Sequence, residues 1–153
     1  MPRPFPLGTL LEHSRHRLEA AERAMRYQKR KEEAASQRLD ELAGYRREYQ
    51  SRYAHAGAGG LDIQRLRDFH AFLNKLDAAI AALEKELTLA RERWQAAHAH
   101  WSTARAKVKA YEALAERHRL AETRREERVD QSHMDELVNR RYAAASMRRE
   151  DGG

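Results

Sequence analysis

Residues Leu66 to His118 read LRDFHAFLNKLDAAIAALEKELTLARERWQAAHAHWSTARAKVKAYEALAERH, and the spacing of apolar residues in this stretch decides the fold. One series is Leu66, Leu73, Ile80, Leu87, Trp94, Trp101, Val108 and Ala115. The other is Phe69, Leu76, Leu83, Ala90, Ala97, Ala104 and Tyr111. The seven-residue repeat is sustained for more than seven heptads, with no proline or glycine in it. It specifies a long α-helix with one narrow apolar stripe. A stripe that narrow cannot close a core alone, so the helix needs a partner helix.

The preceding chain supplies one. All three prolines fall in the first six residues, an extended leader after which a helix can begin. Thr9 followed by Glu12 reads as a capping box. Helix one is expected over about 9–54. One seam series is Leu11, Leu18, Met25, Leu39 and Tyr53; the other is Ala21, Ala35, Leu42 and Tyr49. Ser14, Gln28, Glu32 and Arg46 interrupt the seam with polar groups that can fix its register. Gly57-Ala58-Gly59-Gly60 marks a reversal within 55–61, and Asp62 can cap the next helix, expected over about 62–131. Ser132 followed by Asp135 reads as a second capping box, starting a short last helix over 133–147. Asp151-Gly152-Gly153 is expected to fray. The fold class is thus all-α: a single domain over 1–153, a long antiparallel two-helix coiled-coil hairpin whose second helix is longer and overhangs.

Folding the chain at the glycines pairs residues whose numbers sum to about 115, as antiparallel seam partners. Leu39 then meets Leu76, Leu42 meets Leu73, Tyr49 meets Leu66 and Ala35 meets Ile80. Trp94 falls opposite Ala21, and Trp101 opposite Ser14, large against small. In this register helix one, roughly 65 Å long, is used up near residue 105. Helix two should continue unpartnered beyond Ala106.

Composition narrows the function classes. Charged residues are 35% of the chain and aromatics 7%, poor material for a compact core. There is no cysteine, which excludes disulfides and thiolate metal sites. No apolar run approaches the roughly 20 residues of a membrane span. The Met1-Pro2-Arg3-Pro4-Phe5-Pro6 start lacks the apolar segment of a secretory signal, so a cytoplasmic protein is expected, without direct membrane insertion. The formal net charge of +6 is spread among 24 acidic residues and reads as solvated helix surface. His13 with His16, and His98 with His100, lie close in sequence but lack the further ligands a metal site wants, so no metal is expected. No phosphate-binding loop or nucleophile motif occurs, and neither catalytic residues nor a cofactor are expected.

Two surfaces remain for partners. Tyr45, Phe72 and Ala79 share the position just before one seam series, and so lie on one flank of an antiparallel pair. The other flank carries Ala43, Gln50, His70, Asp77 and Glu84 and is mostly polar. An exposed Phe beside an exposed Tyr suits a partner site. The second surface is the overhanging helix, made basic by Arg117, Arg119, Arg124, Arg125, Arg128, Arg140 and Arg141.

The run Arg38 to Tyr49, RLDELAGYRREY, resembles the flagellar type III export protein FliJ family through Leu39, Leu42, Tyr45, Glu48 and Tyr49. The glycine turn follows at the family's distance, then Phe72, Leu76, Ala79 and Ile80. Arg128-Val-Asp-Gln131 and Met134-Asp135-Glu136 are similar to the family's last segment. The resemblance implies a stalk-like, non-enzymatic coiled coil, peripheral at the inner-membrane base of the flagellum. Its implied partners are a hexameric export ATPase, the cytoplasmic domain of a membrane export gate protein, and export chaperones. Carried over, Leu42, Tyr45, Tyr49, Phe72, Leu76 and Ala79 form the gate-binding patch. Leu11, Leu18, Tyr111, Leu114, Leu120, Arg124, Met134 and Leu137 mark the end facing the ATPase ring. No nucleic acid is expected. A basic coiled-coil arm binding RNA, or a homodimeric spacer, are the alternative readings.

Overall fold

Once a leader of three prolines has ended, only the isolated Gly44 opposes helix before the glycine cluster, and nothing after that cluster opposes it until the C-terminal glycines. The computed structural model describes residues 1–57, 60 and 62–152, and it follows this logic. It contains α1 (Gly8–Gly57) and α2 (Ile63–Asp151), and no strand among the described residues. Ala58 and Gly59 of the expected turn, Leu61, and the terminal Gly153 expected to fray lie outside the described residues.

The ends of the helices are set by local bonds. The α1 start is closed by the backbone, with Gly8 N–H donating to Phe5 C=O at 3.1 Å and Leu11 N–H to Leu7 C=O at 2.9 Å. Thr9 is therefore already inside the helix and is not its cap. Asp62 does cap α2: its carboxylate accepts the Arg65 N–H at 2.7 Å, the third-residue geometry of an N-cap. Gly60 sits at φ +81°, a left-handed conformation that glycine adopts without a steric penalty. Helix α2 then runs unbroken through Ser132, so the capping-box signal there starts no separate helix. Intact helix on both sides satisfies the backbone groups that such a cap would otherwise serve.

The chain divides into two compact units, Met1–His16 with Ala106–Gly153, and Arg17–Arg105. In Arg17–Arg105 the two helices pack antiparallel along the expected seam. Ala21, Ala35, Phe69, Leu76, Leu87 and Ala90 are buried. The register, however, is not the expected one. Tyr53 stacks on Phe69 with ring centroids 3.5 Å apart, Glu32 meets Arg91 at 3.7 Å, Lys29 lies 4.7 Å over the Trp94 ring, and Glu22 accepts the Trp101 Nε1–H at 3.3 Å. The numbers of these partners sum to about 122, one heptad beyond the expected pairing. Trp101, not Trp94, therefore comes opposite Ala21. Leu76, expected against Leu39, lies next to Asp77, whose carboxylate receives Arg46.

The charged seam residues carry their own partners. Glu32 accepts from Lys29 at 2.9 Å; that hydrogen bond, with the nearby Arg91, holds its carboxyl below the usual glutamate range. Arg46 forks onto Asp77 and donates to Gln50 Oε1 at 3.1 Å. Gln28 Oε1 is buried without a partner. His98 is flanked by the rings of Trp94 and Trp101 at 5.3 and 5.6 Å.

In the other unit, Leu11, Ser14 and Val108 are buried, and Ser14 Oγ donates back to Leu11 C=O at 2.7 Å. Arg15 meets Glu112 at 3.5 Å. The proline leader lies along α2. Arg3 N–H donates to Glu122 at 3.2 Å, His118 Nε2 contacts Arg3 C=O at 2.9 Å, and the Phe5 ring stands 5.7 Å from His118. Met1 and Pro2 reach the surface formed by Arg125, Glu126, Val129 and Asp130. Unpartnered helix thus begins near residue 127 and not at Ala106, because the longer register and the leader together cover about six further turns. Residues 127–152 are exposed throughout.

Candidate interaction surfaces

The aromatic surface in Arg17–Arg105 grows out of the seam. Phe69 is buried and stacks on Tyr53 and, at 5.1 Å, on Tyr49. Tyr49 in turn meets the edge of Phe72 at 4.6 Å, and Phe72 meets Tyr45 edge-on at 6.3 Å. Five rings therefore run from the buried seam out to Tyr45, which is 47% exposed. Edge-to-face and offset contacts at these separations are favourable aromatic geometries. They fix Phe72 and Tyr45 at the surface.

The six residues assigned to the first surface do not stand alike. Tyr45 and Ala79 are exposed, Leu42, Tyr49 and Phe72 are half-buried, and Leu76 is buried. Leu76 supports the patch from the seam and offers a partner little surface. Phe69 and Tyr53 belong to the same ring cluster. The sequence marked both as seam positions, but a register one heptad short kept them apart. Beside Tyr45, Gly44 leaves a depression rimmed by Asp40, Glu41, Glu48 and Arg47, an acidic margin to an aromatic surface. The opposite flank is polar: Arg46 reaches out to it and donates to both Asp77 and Gln50.

The second set of residues is divided between the units. Leu18 is half-buried in Arg17–Arg105. In the other unit Leu11 is buried and Tyr111 half-buried, while Leu114, Leu120, Arg124, Met134 and Leu137 are exposed. Neighbouring glutamates engage part of the basic charge: Arg119 pairs with Glu116, Arg125 with Glu122, and Arg140 with Glu136. Arg124, Arg128 and Arg141 make no ion pair among the described residues.

Glu122 joins this surface to the leader. The Arg3 backbone N–H, and then Arg125, hold its carboxyl below the usual glutamate range. Among the described residues no helix is long and apolar enough to cross a membrane.

A helical hairpin that spends its seam on its own second helix, and leaves ordered aromatic and apolar groups on the outside, defines a coiled-coil interaction protein. The sequence profile of the flagellar FliJ protein family matches residues 3–146, and the chain belongs to that family. Flagellar FliJ proteins of Escherichia coli (strain K12) and of Salmonella typhi are each 26% identical to it over 134 residues. The match covers 88% of this chain and 91% of each relative. No solved structure matches it significantly.

Proposed function

We propose that this chain is a non-enzymatic adaptor of the flagellar protein export apparatus. It links the hexameric export ATPase to the cytoplasmic domain of the membrane export gate, and it binds export chaperones. The observation that carries this reading is the family match over residues 3–146. Two features support the division of labour. The Tyr45–Phe72 surface gives the gate a rigid aromatic anchor, since large rings held in place lose little entropy on binding. The basic, apolar helix beyond Leu114 gives the ATPase ring a surface with anion-seeking charge.

The test is a pull-down from the source cell's lysate with three proteins: the wild type, Tyr45→Ala/Phe72→Ala, and a chain shortened to residue 130. The shortened chain keeps Glu122, on which the leader docks. Circular dichroism checks helix content. Loss of the gate alone from the aromatic variant, and of the ATPase alone from the shortened chain, is the expected result. Equal recovery of both partners by all three proteins refutes the assignment of surfaces. Recovery of RNA that vanishes at moderate salt would replace it with the RNA-arm reading.

A further inference from the structure

Past residue 130 the apolar stripe of α2 changes face. Continued from Val108 and Tyr111, the seam positions become Ser132, Glu136, Asn139, Ala143 and Ser146, which have no large apolar side chain. The large apolar residues stand instead at Met134 and Val138, aligned with Ala145 at helical spacing, with Leu137 and Tyr142 on the margins and Arg141 among them on the same face. This stripe lies on the side of the helix opposite the intrachain seam. It is open to solvent: Met134 is 63% exposed, Val138 61% and Tyr142 77%. The proline leader stops short of it, reaching only to the Val129–Asp130 turn.

The charges at the two ends of the stripe face, either side of the central Arg141, identify an occupant. Glu127 and Asp130 precede the apolar residues, and Arg148 and Arg149 follow them. An antiparallel copy centred on Val138 brings Glu127 against Arg149. It also brings Asp130 against Arg148, because antiparallel helices oppose like margins and these two residues share one. Met134 meets Tyr142 across the axis, and Val138 meets itself. A parallel copy would set acid on acid and base on base. The segment is thus self-complementary in one orientation only, as an isologous twofold contact requires.

We propose that residues 127–149 of α2 pair antiparallel with the same residues of a second copy, making a weak, salt-sensitive homodimer. About 23 residues of helix give a contact roughly 35 Å long with few apolar layers, which suits a reversible dimer and not an obligate one. The pairing covers Met134 and Leu137, so it excludes any other partner from that face while it lasts. The proposal does not depend on which partner that is.

Sedimentation equilibrium of the full chain tests it. The wild type should pass from the 17.8 kDa monomer toward twice that mass as concentration rises, and high salt should reverse the shift. Val138→Glu should weaken association at least tenfold, with helix content unchanged. Arg148→Glu/Arg149→Glu makes both ends of the contact acidic, and Glu127→Arg/Asp130→Arg makes both basic. Each should be monomeric alone, their equimolar mixture should form a heterodimer, and a chain with all four reversals should self-associate like the wild type. A wild type that stays monomeric to about 0.5 mM, a range in which weak complexes form, overturns the proposal. So does a dimer that these variants leave unchanged.

Discussion

Leu87 and Leu89 sit two residues apart on α2, the same residue type in the same uninterrupted helix, yet Leu87 is 6% exposed and Leu89 50%. Truncating each to alanine isolates what the seam contributes. Leu87→Ala removes buried carbon and leaves a void in the seam. Buried leucine truncations cost about 2–5 kcal/mol, and a seam open on both margins belongs at the lower end, about 2 kcal/mol. Leu89 is already half in water, so its loss should cost about 0.5–1 kcal/mol. Alanine's higher helix propensity, a few tenths of a kcal/mol, favours both variants alike and drops out of the comparison.

Thermal unfolding followed by ellipticity at 222 nm reads the difference. A chain of this size loses about 2–4 °C per kcal/mol. Leu87→Ala should therefore melt about 4–8 °C below the wild type, and Leu89→Ala no more than about 4 °C below it. Equal shifts, or a larger one for Leu89, would mean that the seam passes through the wrong face of α2. The burial argument would then fail along the whole helix.

The register is tested by cysteines, which the chain lacks. Ala35→Cys with Leu87→Cys should form a disulfide on mild oxidation. Ala35→Cys with Ile80→Cys should not, being displaced by one heptad or roughly 10 Å; non-reducing electrophoresis distinguishes them. Two glycines should respond with opposite sign in urea unfolding. Gly60→Ala should cost about 1 kcal/mol at its left-handed φ. Gly44→Ala should gain about 0.5–1 kcal/mol, since the new Cβ meets only Arg47 Nη2 at 3.6 Å. Acid should release the leader. The Glu122 carboxyl is depressed in the folded chain, so its contribution is present above the ordinary glutamate range and lost as pH falls through the folded value. The protection of the Arg3 amide, its exchange rate relative to the intrinsic rate at each pH, should fall on acidification, and Glu122→Gln should remove that response. A protection factor at Arg3 that stays constant with pH in the wild type would refute the docking role.

The two helices and the seam face were legible because a period of 3.5 leaves no other solution for so long a run. The register was not, and the reason lies in the repeat itself. A slip of seven residues returns every seam position to the seam, so opposite series meet as well in the wrong pairing as in the right one. What decides between them is detail that hydrophobic pattern does not carry. Arg46 reaches Asp77, Glu32 reaches Arg91, and Phe69 finds Tyr53 and Tyr49 together. Each polar interruption of α1 that finds a charged partner on α2 does so only in the longer register. The aromatic surface was visible through Tyr45 and Phe72 because a slip of one heptad leaves both on the same flank, where their large rings still meet at 6.3 Å. Its buried half, Phe69 with Tyr53, was hidden because seam partners do change.

The same reasoning explains why the last quarter of α2 read poorly. Beyond Val129 the seam series loses its large apolar residues while helix propensity stays high, so the pattern announces a break that the backbone does not make. An uninterrupted helix that shifts its apolar stripe to the opposite face has changed partner without changing structure. Up to about residue 126 the partner is the chain's own α1 and leader. Past it, Met134 and Val138 face away from everything in the chain, between two acids and two arginines arranged for a mirror of themselves. If Val138→Glu left both the mass and the melting curve untouched at every concentration, that face would have no partner of its own kind, and the stripe would be surface. A loss of association at unchanged helix content would show that sequence phase, not helix continuity, marks where one interaction ends and the next begins.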